Sequence, residues 1–221
     1  MPVNREAYQQ IIKELEPTKA TLVAVSKTKP VEEIRELYDL GQRDFGENYV
    51  QELAEKAEQL PKDIRWHFIG HLQSNKVKHI APFIHLIHGV DSNKLLEEID
   101  KQAIKNNRVI DCLLQVYIAK EETKFGFEES ELANVVVYDS PNISIKGLMG
   151  MASFTEDMEK VRQEFRSLKE IYDRHAVLTA NSTHKSAKFT TLSMGMSSDY
   201  RVALEEGSGM VRIGSLLFGA R

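Results

Sequence analysis

The stretch LVAVSKTKP, residues 22–30, decides the fold, because it joins a short apolar run to a lysine and a proline just beyond it. The four apolar residues at its start are typical of a buried strand, and Pro30 suits the first turn of a following helix. Lys27 follows the end of the strand, where α/β folds place their chemistry. A desolvated lysine there can lose its proton and form an imine with an aldehyde. An exposed loop lysine is the alternative interpretation.

Strands and helices alternate along the rest of the chain at short intervals. Apolar runs and turn residues predict eight strands, at residues 22–25, 43–46, 65–69, 83–90, 111–118, 143–149, 189–193 and 210–213. Alternating elements imply parallel strands, and eight of them predict a closed (β/α)8 TIM barrel, an α/β fold. An open Rossmann-like sheet is the alternative, but the sequence contains no GxGxxG motif.

Some features stand outside this repeat. A helix capped by Asn4 and ended by Pro17 precedes the first strand, so we expect the barrel to carry an extra N-terminal helix. Asn48 and Gln51 have the spacing of a capping pair for the helix after the second strand. Residues 175–188 are polar and cannot be assigned to an element. We expect residues 1–221 to form a single domain.

Composition excludes several classes of protein. The chain has 221 residues, 42% of them hydrophobic and 28% charged, which is typical of a globular protein. A net charge of −4 without a basic run argues against nucleic-acid binding. One cysteine permits no internal disulfide, and no apolar stretch reaches the roughly 18 residues that a membrane span needs. These features predict a cytoplasmic protein, and the absence of a heptad pattern favours a monomer.

Residues that carry chemistry gather at the carboxyl ends of the predicted strands, where barrels place their active sites. The loops after the last two strands read SMGMSS (193–198) and RIGS (212–215), with small residues, hydroxyls and an arginine. Loops at these positions often bind phosphate, although simple tight turns would look the same. A phosphate site opposite an imine-forming lysine predicts a phosphorylated aldehyde, either pyridoxal phosphate or a phosphosugar. The candidate residues are Lys27, Asn48, His71, Met149, Ser193, Met194, Arg212, Gly214 and Ser215.

Other reactive residues are interpreted as structural. His67 and His71 are four residues apart but on a strand and a loop, so a shared metal is not expected. His88 and its neighbouring histidines have no accompanying carboxylate or cysteine pattern and are interpreted as core or solvated residues. Cys112 lies in an apolar run and is interpreted as a core residue. The charge run at 52–58 is interpreted as a solvated face.

Seven segments carry a resemblance to a known family. They are AVSKTKP (24–30), FGENYVQE (45–52), WHFIGHLQSNK (66–76), VDS (90–92), GLMGMA (147–152), LSMGMSSD (192–199) and MVRIGSLLFGAR (210–221). With these segments the chain resembles the pyridoxal phosphate homeostasis protein family, which is related to the N-terminal barrel domain of alanine racemase. The resemblance covers nearly the whole chain, and residues 175–188 are the least similar part.

The resemblance implies a fold-type III barrel that holds pyridoxal 5'-phosphate (PLP) as an internal aldimine on Lys27 rather than Lys29. Arg212 would face the pyridine nitrogen or the phosphate. Met149 is interpreted as a pocket-lining residue, with core packing as the alternative. The residues implied to hold the phosphate are Ser193, Met194, Gly214 and Ser215. Those implied to line the ring are Asn48 and His71.

The expected function is to bind and buffer PLP without catalytic turnover. An arginine at the ring nitrogen disfavours its protonation, which makes the ring a poorer electron sink. In the related racemases a second base comes from a C-terminal domain, and this chain ends at Arg221, a few residues past the eighth strand. No catalytic residue is therefore expected, and apo PLP-dependent enzymes are possible transient partners. The alternatives are a PLP-dependent amino-acid racemase and a Schiff-base aldolase for a phosphosugar.

Overall fold

Eight parallel strands form a closed barrel in the computed structural model, which describes residues 3–119, 126–135, 140–180 and 187–219. Each strand pairs with its neighbours in sequence, and β8 closes the barrel against β1. The predicted (β/α)8 barrel is therefore confirmed, and the open Rossmann-like sheet is excluded. The strands are β1 (Thr21–Val25), β2 (Asp44–Glu47), β3 (Arg65–Phe68), β4 (Leu86–Val90), β5 (Ile110–Gln115), β6 (Ile143–Met149), β7 (Ala187–Met196) and β8 (Met210–Ile213).

Helices surround this barrel in the part of the chain that the structure describes. They are α1 (Arg5–Leu15), α2 (Val31–Asp39), α3 (Val50–Gln59), α4 (Val77–Ile80, preceded by a 3-10 turn at Ser74–Lys76), α5 (Asn93–Lys105), α6 (Glu129–Val135), α7 (Met158–Ala180), α8 (Tyr200–Glu205) and α9 (Ser215–Phe218). The extra N-terminal helix is confirmed as α1, and Asn4 caps it by accepting a 3.0 Å hydrogen bond from the backbone N–H of Ala7. That the whole chain is one domain stays a prediction.

Side chains on each strand alternate between two layers of core, because successive residues of a strand point to opposite faces. The larger layer lies between the strands and the helices, where Phe45, Phe68 and Phe165 are fully buried. The smaller apolar layer lies inside the barrel and consists of Val23, Leu86, Leu113, Met149 and Met210. A set of polar side chains accompanies it, namely Asp44, His67, His88, Ser193 and Arg212, all buried.

Cys112 belongs to the larger core layer and is fully buried. Burial raises the pKa of its thiol, since the thiolate would be desolvated there. The interpretation of Cys112 as a core residue, not a nucleophile, is confirmed.

Several element boundaries differ from the sequence prediction. β4 begins at Leu86 instead of 83, because residues 81–83 form a turn in which the N–H groups of Phe83 and Ile84 donate to the carbonyl of Ile80. Arg108 also donates to the carbonyls of Ala81 and Ile84. The proposed capping role of Asn48 is wrong, since Tyr49 precedes α3 and no side chain caps the helix. α7 continues to Ala180, so the first part of the unassigned segment 175–188 is helical, and 181–186 lie outside the described residues.

None of the helices in the described ranges has both the length and the apolar character needed to cross a lipid bilayer. The longest, α7 with 23 residues, carries charged residues along its length.

Candidate functional site

A cavity of about 500 Å³ opens at the carboxyl ends of the strands. Its walls combine polar groups from four places in the sequence with an apolar rim. The polar residues that line it include Lys27, Asn48, Ser197, Ser198, Arg212 and Ser215. Apolar side chains, among them Met151, Phe154 and Met196, complete the wall. A cavity of this size, mostly apolar with a few convergent polar groups, is the usual form of a small-molecule site.

Lys27 reaches this cavity from a tight turn directly after β1. The turn is closed by a 3.0 Å hydrogen bond from the N–H of Lys29 to the carbonyl of Ser26. Thr28 has a left-handed backbone (φ 64°), and its N–H donates to Glu52 Oε1 at 2.6 Å. Lys29 also lines the cavity, but its Nζ donates to the carbonyl of Phe218 at 2.8 Å. The Lys29 ammonium therefore contacts the C-terminal end of α9.

A buried charged cluster supports the turn from behind. Lys56 Nζ donates to Glu47 Oε1 (2.7 Å), to Glu52 Oε1 (2.6 Å) and to the carbonyl of Ser26 (2.8 Å). Burial raises the pKa of the fully buried Glu47 even though Lys56 opposes this. The charge run 52–58 is thus not a uniformly solvated face, since the Lys56 side chain is only 6% exposed. Helical periodicity could have predicted the burial of Lys56, because residues three apart share a helix face and Lys56 lies three residues after the buried Leu53.

Arg212 places a buried positive charge in the cavity wall. Its guanidinium donates from Nη1 to Ser193 Oγ (2.6 Å) and from Nη2 to the carbonyl of Gly150 (3.1 Å). Burial lowers the pKa of Arg212 to about 10, with Asp199 opposing, so the group is still cationic at neutral pH. Asp199 attracts this guanidinium, but none of the ion pairs among the described residues includes Arg212. A buried cation without such an ion pair favours an electron-rich or anionic ligand in the cavity.

The loops after β7 and β8 form one continuous wall. The N–H of Gly214 donates to Ser197 Oγ at 3.2 Å, which joins the two loops. A Cβ atom on Gly214 would lie 3.1 Å from the carbonyl oxygen of Val25, so the backbone approaches β1 closely there. Hydroxyl groups from Ser197, Ser198 and Ser215 face the cavity beside this contact. The wall offers hydroxyls and small residues at the position where barrels commonly bind phosphate.

Four predicted site residues lie outside this cavity, three of which are on β6 and β7. Met149 packs inside the barrel, and Met194 packs in the layer between strands and helices. Met151 and Met196 line the cavity instead, two residues further along the same segments. Ser193 lies beneath the cavity floor, buried, where its hydroxyl contacts Arg212 and His88. Twofold alternation does not separate residues that are two positions apart, so the sequence alone could not distinguish Met149 from Met151 or Met194 from Met196.

His71 lines a neighbouring cavity of about 450 Å³, and its Nδ1 lies 3.0 Å from Asp91 Oδ2. Asn48 borders both cavities. Its Oδ1 is buried and finds no hydrogen-bond partner among the described residues. Because an unsatisfied buried acceptor is costly, this oxygen is a candidate to bind a ligand donor.

One group of side chains in the described ranges has the composition of a metal site, namely Asp44, His67 and His85 at the other end of the barrel. Arg65 donates to both carboxylate oxygens of Asp44, with Nε to Oδ1 at 2.7 Å. A guanidinium on both oxygens opposes a second cation, so we assign no metal here.

Known proteins match this chain in both sequence and fold. The sequence model of a family described as the alanine racemase N-terminal domain matches residues 5–221. A pyridoxal phosphate homeostasis protein of Aquifex aeolicus is 45% identical over 205 residues, which cover 91% of this chain and 87% of the relative. One of Escherichia coli K12 is 37% identical over 211 residues, which cover 93% and 87%. The chain belongs to the pyridoxal phosphate homeostasis protein family.

Solved structures agree with this membership. PipY of Synechococcus elongatus PCC7942, solved with PLP bound, is 33% identical and superposes with a TM-score of 0.86 over 97% of this chain and 99% of that chain. An alanine racemase of Clostridium difficile superposes with a TM-score of 0.73 at 12% identity, over 100% of this chain and 59% of the racemase. The second match shows the shared barrel alone. The resemblance on which the sequence analysis relied is therefore confirmed.

Proposed function

We propose that this protein binds pyridoxal 5'-phosphate as a Schiff base on Lys27, and that it buffers and delivers the cofactor without catalytic turnover. The observation that carries the proposal is the convergence of Lys27, the buried cation Arg212 and the hydroxyl-lined loops on one cavity. Relatives at 36–45% identity are named pyridoxal phosphate homeostasis proteins, and PipY has been solved with PLP bound, which supports the choice of ligand.

The residues of the cavity fit the three parts of PLP. The neutral amine of Lys27 would attack the aldehyde carbon, so that a carbon–nitrogen double bond forms and one water molecule leaves. Ser215 and the backbone of Gly214 would hold the phosphate together with Ser197. Arg212 would face the pyridine nitrogen or the phosphate, and Asn48 would line the ring. His71, Met149, Ser193 and Met194 lie outside the cavity, and we propose only an indirect, supporting role for them.

The absence of turnover is part of the proposal. A racemase needs a second acid–base group on the opposite face of the substrate carbon. Among the described residues that line the cavity, the titratable side chains are Lys27, Lys29 and Arg212, and the Lys29 amine donates to a backbone carbonyl. A guanidinium near the pyridine nitrogen would keep that nitrogen unprotonated and weaken the ring as an electron sink.

The cellular setting of this activity is proposed on the same basis. We expect a cytoplasmic monomer that does not bind nucleic acid or membranes. Because the cavity is open to solvent, the amine of an apo PLP-dependent enzyme or of a free amino acid could displace Lys27 and take up the cofactor. Release by such exchange would let the protein act as a store for a reactive aldehyde.

The first test is the visible absorption of the purified protein. We expect a yellow protein whose visible band disappears on borohydride reduction, with the added pyridoxyl mass on the peptide that contains Lys27. Lys27→Ala should abolish the band, whereas the matched variant Lys29→Ala should retain it. A reducible band of unchanged occupancy in Lys27→Ala would refute the assignment, and a protein without a band would favour the phosphosugar aldolase.

The second test separates carrier from racemase. Amino acids incubated with the loaded protein in deuterated water should retain their α-protons. Steady exchange of the α-proton of any amino acid, lost in Lys27→Ala, would show that the protein is an enzyme.

A further inference from the structure

Five buried polar side chains form a continuous chain through the barrel interior, a feature that the proposed function leaves unused. His67 Nε2 lies 3.0 Å from Asp44 Oδ1, and His67 Nδ1 lies 2.9 Å from His88 Nε2. His88 Nδ1 lies 3.1 Å from Ser193 Oγ, which in turn accepts from Arg212 Nη1 at 2.6 Å. The chain therefore joins the amino end of β2 to the cavity at the carboxyl ends of the strands.

The direction of donation along this chain follows from its two ends. Asp44 can only accept, because hydrogen bonds from Arg65 and His67 outweigh the effect of its burial and lower its pKa to about 2. Arg212 can only donate, since a guanidinium has no acceptor. A neutral His67 must then carry its proton on Nε2, which leaves Nδ1 as an acceptor for His88.

The direction of donation at His88 and Ser193, in the middle of this series, follows in the same way. Complete burial is the largest cause that holds the pKa of His88 well below its usual range, so this imidazole is neutral and has one N–H. If that N–H is on Nε2 and donates to His67, then Nδ1 accepts from the hydroxyl of Ser193. The Ser193 oxygen is thereby left to accept from Arg212. Every donor points from the cavity toward Asp44, and no polar hydrogen is opposed by another.

We infer that Asp44 is a positioning residue for the cofactor site, because it sets the tautomers of His67 and His88 and thereby makes Ser193 a donor to His88, which strengthens the Ser193 oxygen as the acceptor that orients the Arg212 guanidinium. The inference rests on the proposed function in one respect, namely that Arg212 faces the cofactor. Asp44 acts from the end of the barrel remote from the cavity and does not touch the ligand.

The opposite arrangement would disturb Arg212. If His67 carried its proton on Nδ1, it would donate to His88, and His88 would donate to Ser193. Ser193 Oγ would then face donors from both His88 and Arg212, and its own hydrogen would have no histidine acceptor. The oxygen has two lone pairs and can accept from both, but it would no longer be polarised by donating to His88, and its buried hydrogen would lack an acceptor in this series, so its hydrogen bond from the Arg212 guanidinium would weaken.

The tautomers can be read directly from the 15N chemical shifts of the imidazole nitrogens in protein labelled at its seven histidines, measured without PLP. We expect both His67 and His88 in the Nε2–H form. Asp44→Asn replaces a carboxylate, which can only accept a hydrogen bond, with an amide that can also donate one. We therefore expect the Nδ1–H form to become populated at His67 and His88 in this variant. Arg65→Gln is the matched control, since it removes the partner of Asp44 but keeps the carboxylate, and it should leave both tautomers unchanged.

The second readout is the cofactor itself. In Asp44→Asn we expect the PLP dissociation constant to rise about tenfold, the scale of one hydrogen bond to a charged group, with a shift of the visible band. Arg65→Gln should change neither. If Asp44→Asn does not fold, Ser193→Ala tests the same link, because it should reproduce the cofactor changes while His67 keeps its Nε2–H form.

Two results of the tautomer measurement would overturn the inference. One is an Nδ1–H form of His88 in the unmodified protein, and the other is unchanged tautomers in folded Asp44→Asn. Neither depends on PLP, so a failure of the proposed function would leave the tautomer measurement intact. The positioning role would also be rejected if Asp44→Asn showed the expected tautomer changes but an unaltered visible band and PLP dissociation constant. The hydrogen-bonded series would then have a structural role only.

Discussion

At the scale of single residues, two lysines follow β1 and both line the cavity. Motif resemblance chose Lys27 as the reactive one. The structure adds an observation about Lys29, whose amine donates to the carbonyl of Phe218 and would have to break that contact before it could react.

Glycine at 195 is a second residue on which the site depends. Its φ of +96° disfavours any side chain, and a Cβ atom there would lie 2.6 Å from Ala203 Cβ and 3.0 Å from Tyr200 Cα. We expect Gly195→Ala to lower the free energy of unfolding by more than about 2 kcal/mol, because backbone strain and overpacking add. Urea unfolding followed by circular dichroism is the measurement.

The control for this prediction is Gly41→Ala. Gly41 has a similar φ of +105°, but nothing lies within 4 Å of the added Cβ, so only the strain of about 1 kcal/mol applies. Equal losses in the two variants would show that crowding against α8 contributes nothing.

At the scale of elements, the loops after the strands are held by contacts that reach back into the scaffold. The turn that carries Lys27 is tied to α3 through Glu52 and Lys56. The loops after β7 and β8 are tied to each other through Ser197 and Gly214. Rigid placement of these loops reduces the ordering cost when a ligand binds.

The buried cluster between β2 and α3 gives a prediction at this scale. Lys56→Met leaves the carboxylate of Glu47 buried without its cation, and we expect the free energy of unfolding to fall by about 3 kcal/mol. Replacing both residues, as Lys56→Met with Glu47→Gln, should restore a large part of this loss. Urea unfolding of the single and double variants tests the coupling.

Lys101→Met is the matched control, because Lys101 is 62% exposed and its nitrogen lies 3.6 Å from Glu98. Its effect should stay below about 1 kcal/mol. If Lys56→Met cost no more than Lys101→Met, the cluster would not support the turn.

At the scale of the whole molecule, a series of hydrogen-bonded polar side chains runs through the barrel interior between Asp44 and Arg212. The cavity lies at the carboxyl ends of the strands, while Asp44 and its partner Arg65 lie at the amino end, where the Arg65 side chain is 48% exposed. Because Asp44 is buried and pairs with Arg65, we expect the free energy of unfolding to depend on whether its carboxyl group is ionised.

This dependence predicts a pH effect. The pKa of Asp44 falls from an ordinary 3.8 to about 2 on folding, so ionised Asp44 stabilises the folded state above about pH 4, and this stabilisation is lost as the pH falls through 2. The shift corresponds to about 2 kcal/mol. Asp44→Asn should therefore be less stable at pH 7 by roughly this amount and lose less stability between pH 4 and 2.

Urea unfolding at a series of pH values measures this slope. Asp173→Asn serves as the comparison, because Asp173 is exposed and its ion pair among the described residues is with Lys169 on the same helix. A slope between pH 4 and 2 that is the same in Asp44→Asn and the unmodified protein would contradict the prediction.

The sequence by itself determined the barrel, the position of Lys27 after β1 and the two loops that face it. These follow from local patterns, because apolar runs, glycines and prolines mark elements regardless of what they later contact. Only the tertiary structure decided that Ser197 and Met196 line the cavity while Ser193 and Met194 do not, that Lys56 pairs with Glu47, and that Asp44 connects with Arg212. Each of these depends on which strand face meets which neighbour, and that is settled by packing between residues distant in the chain.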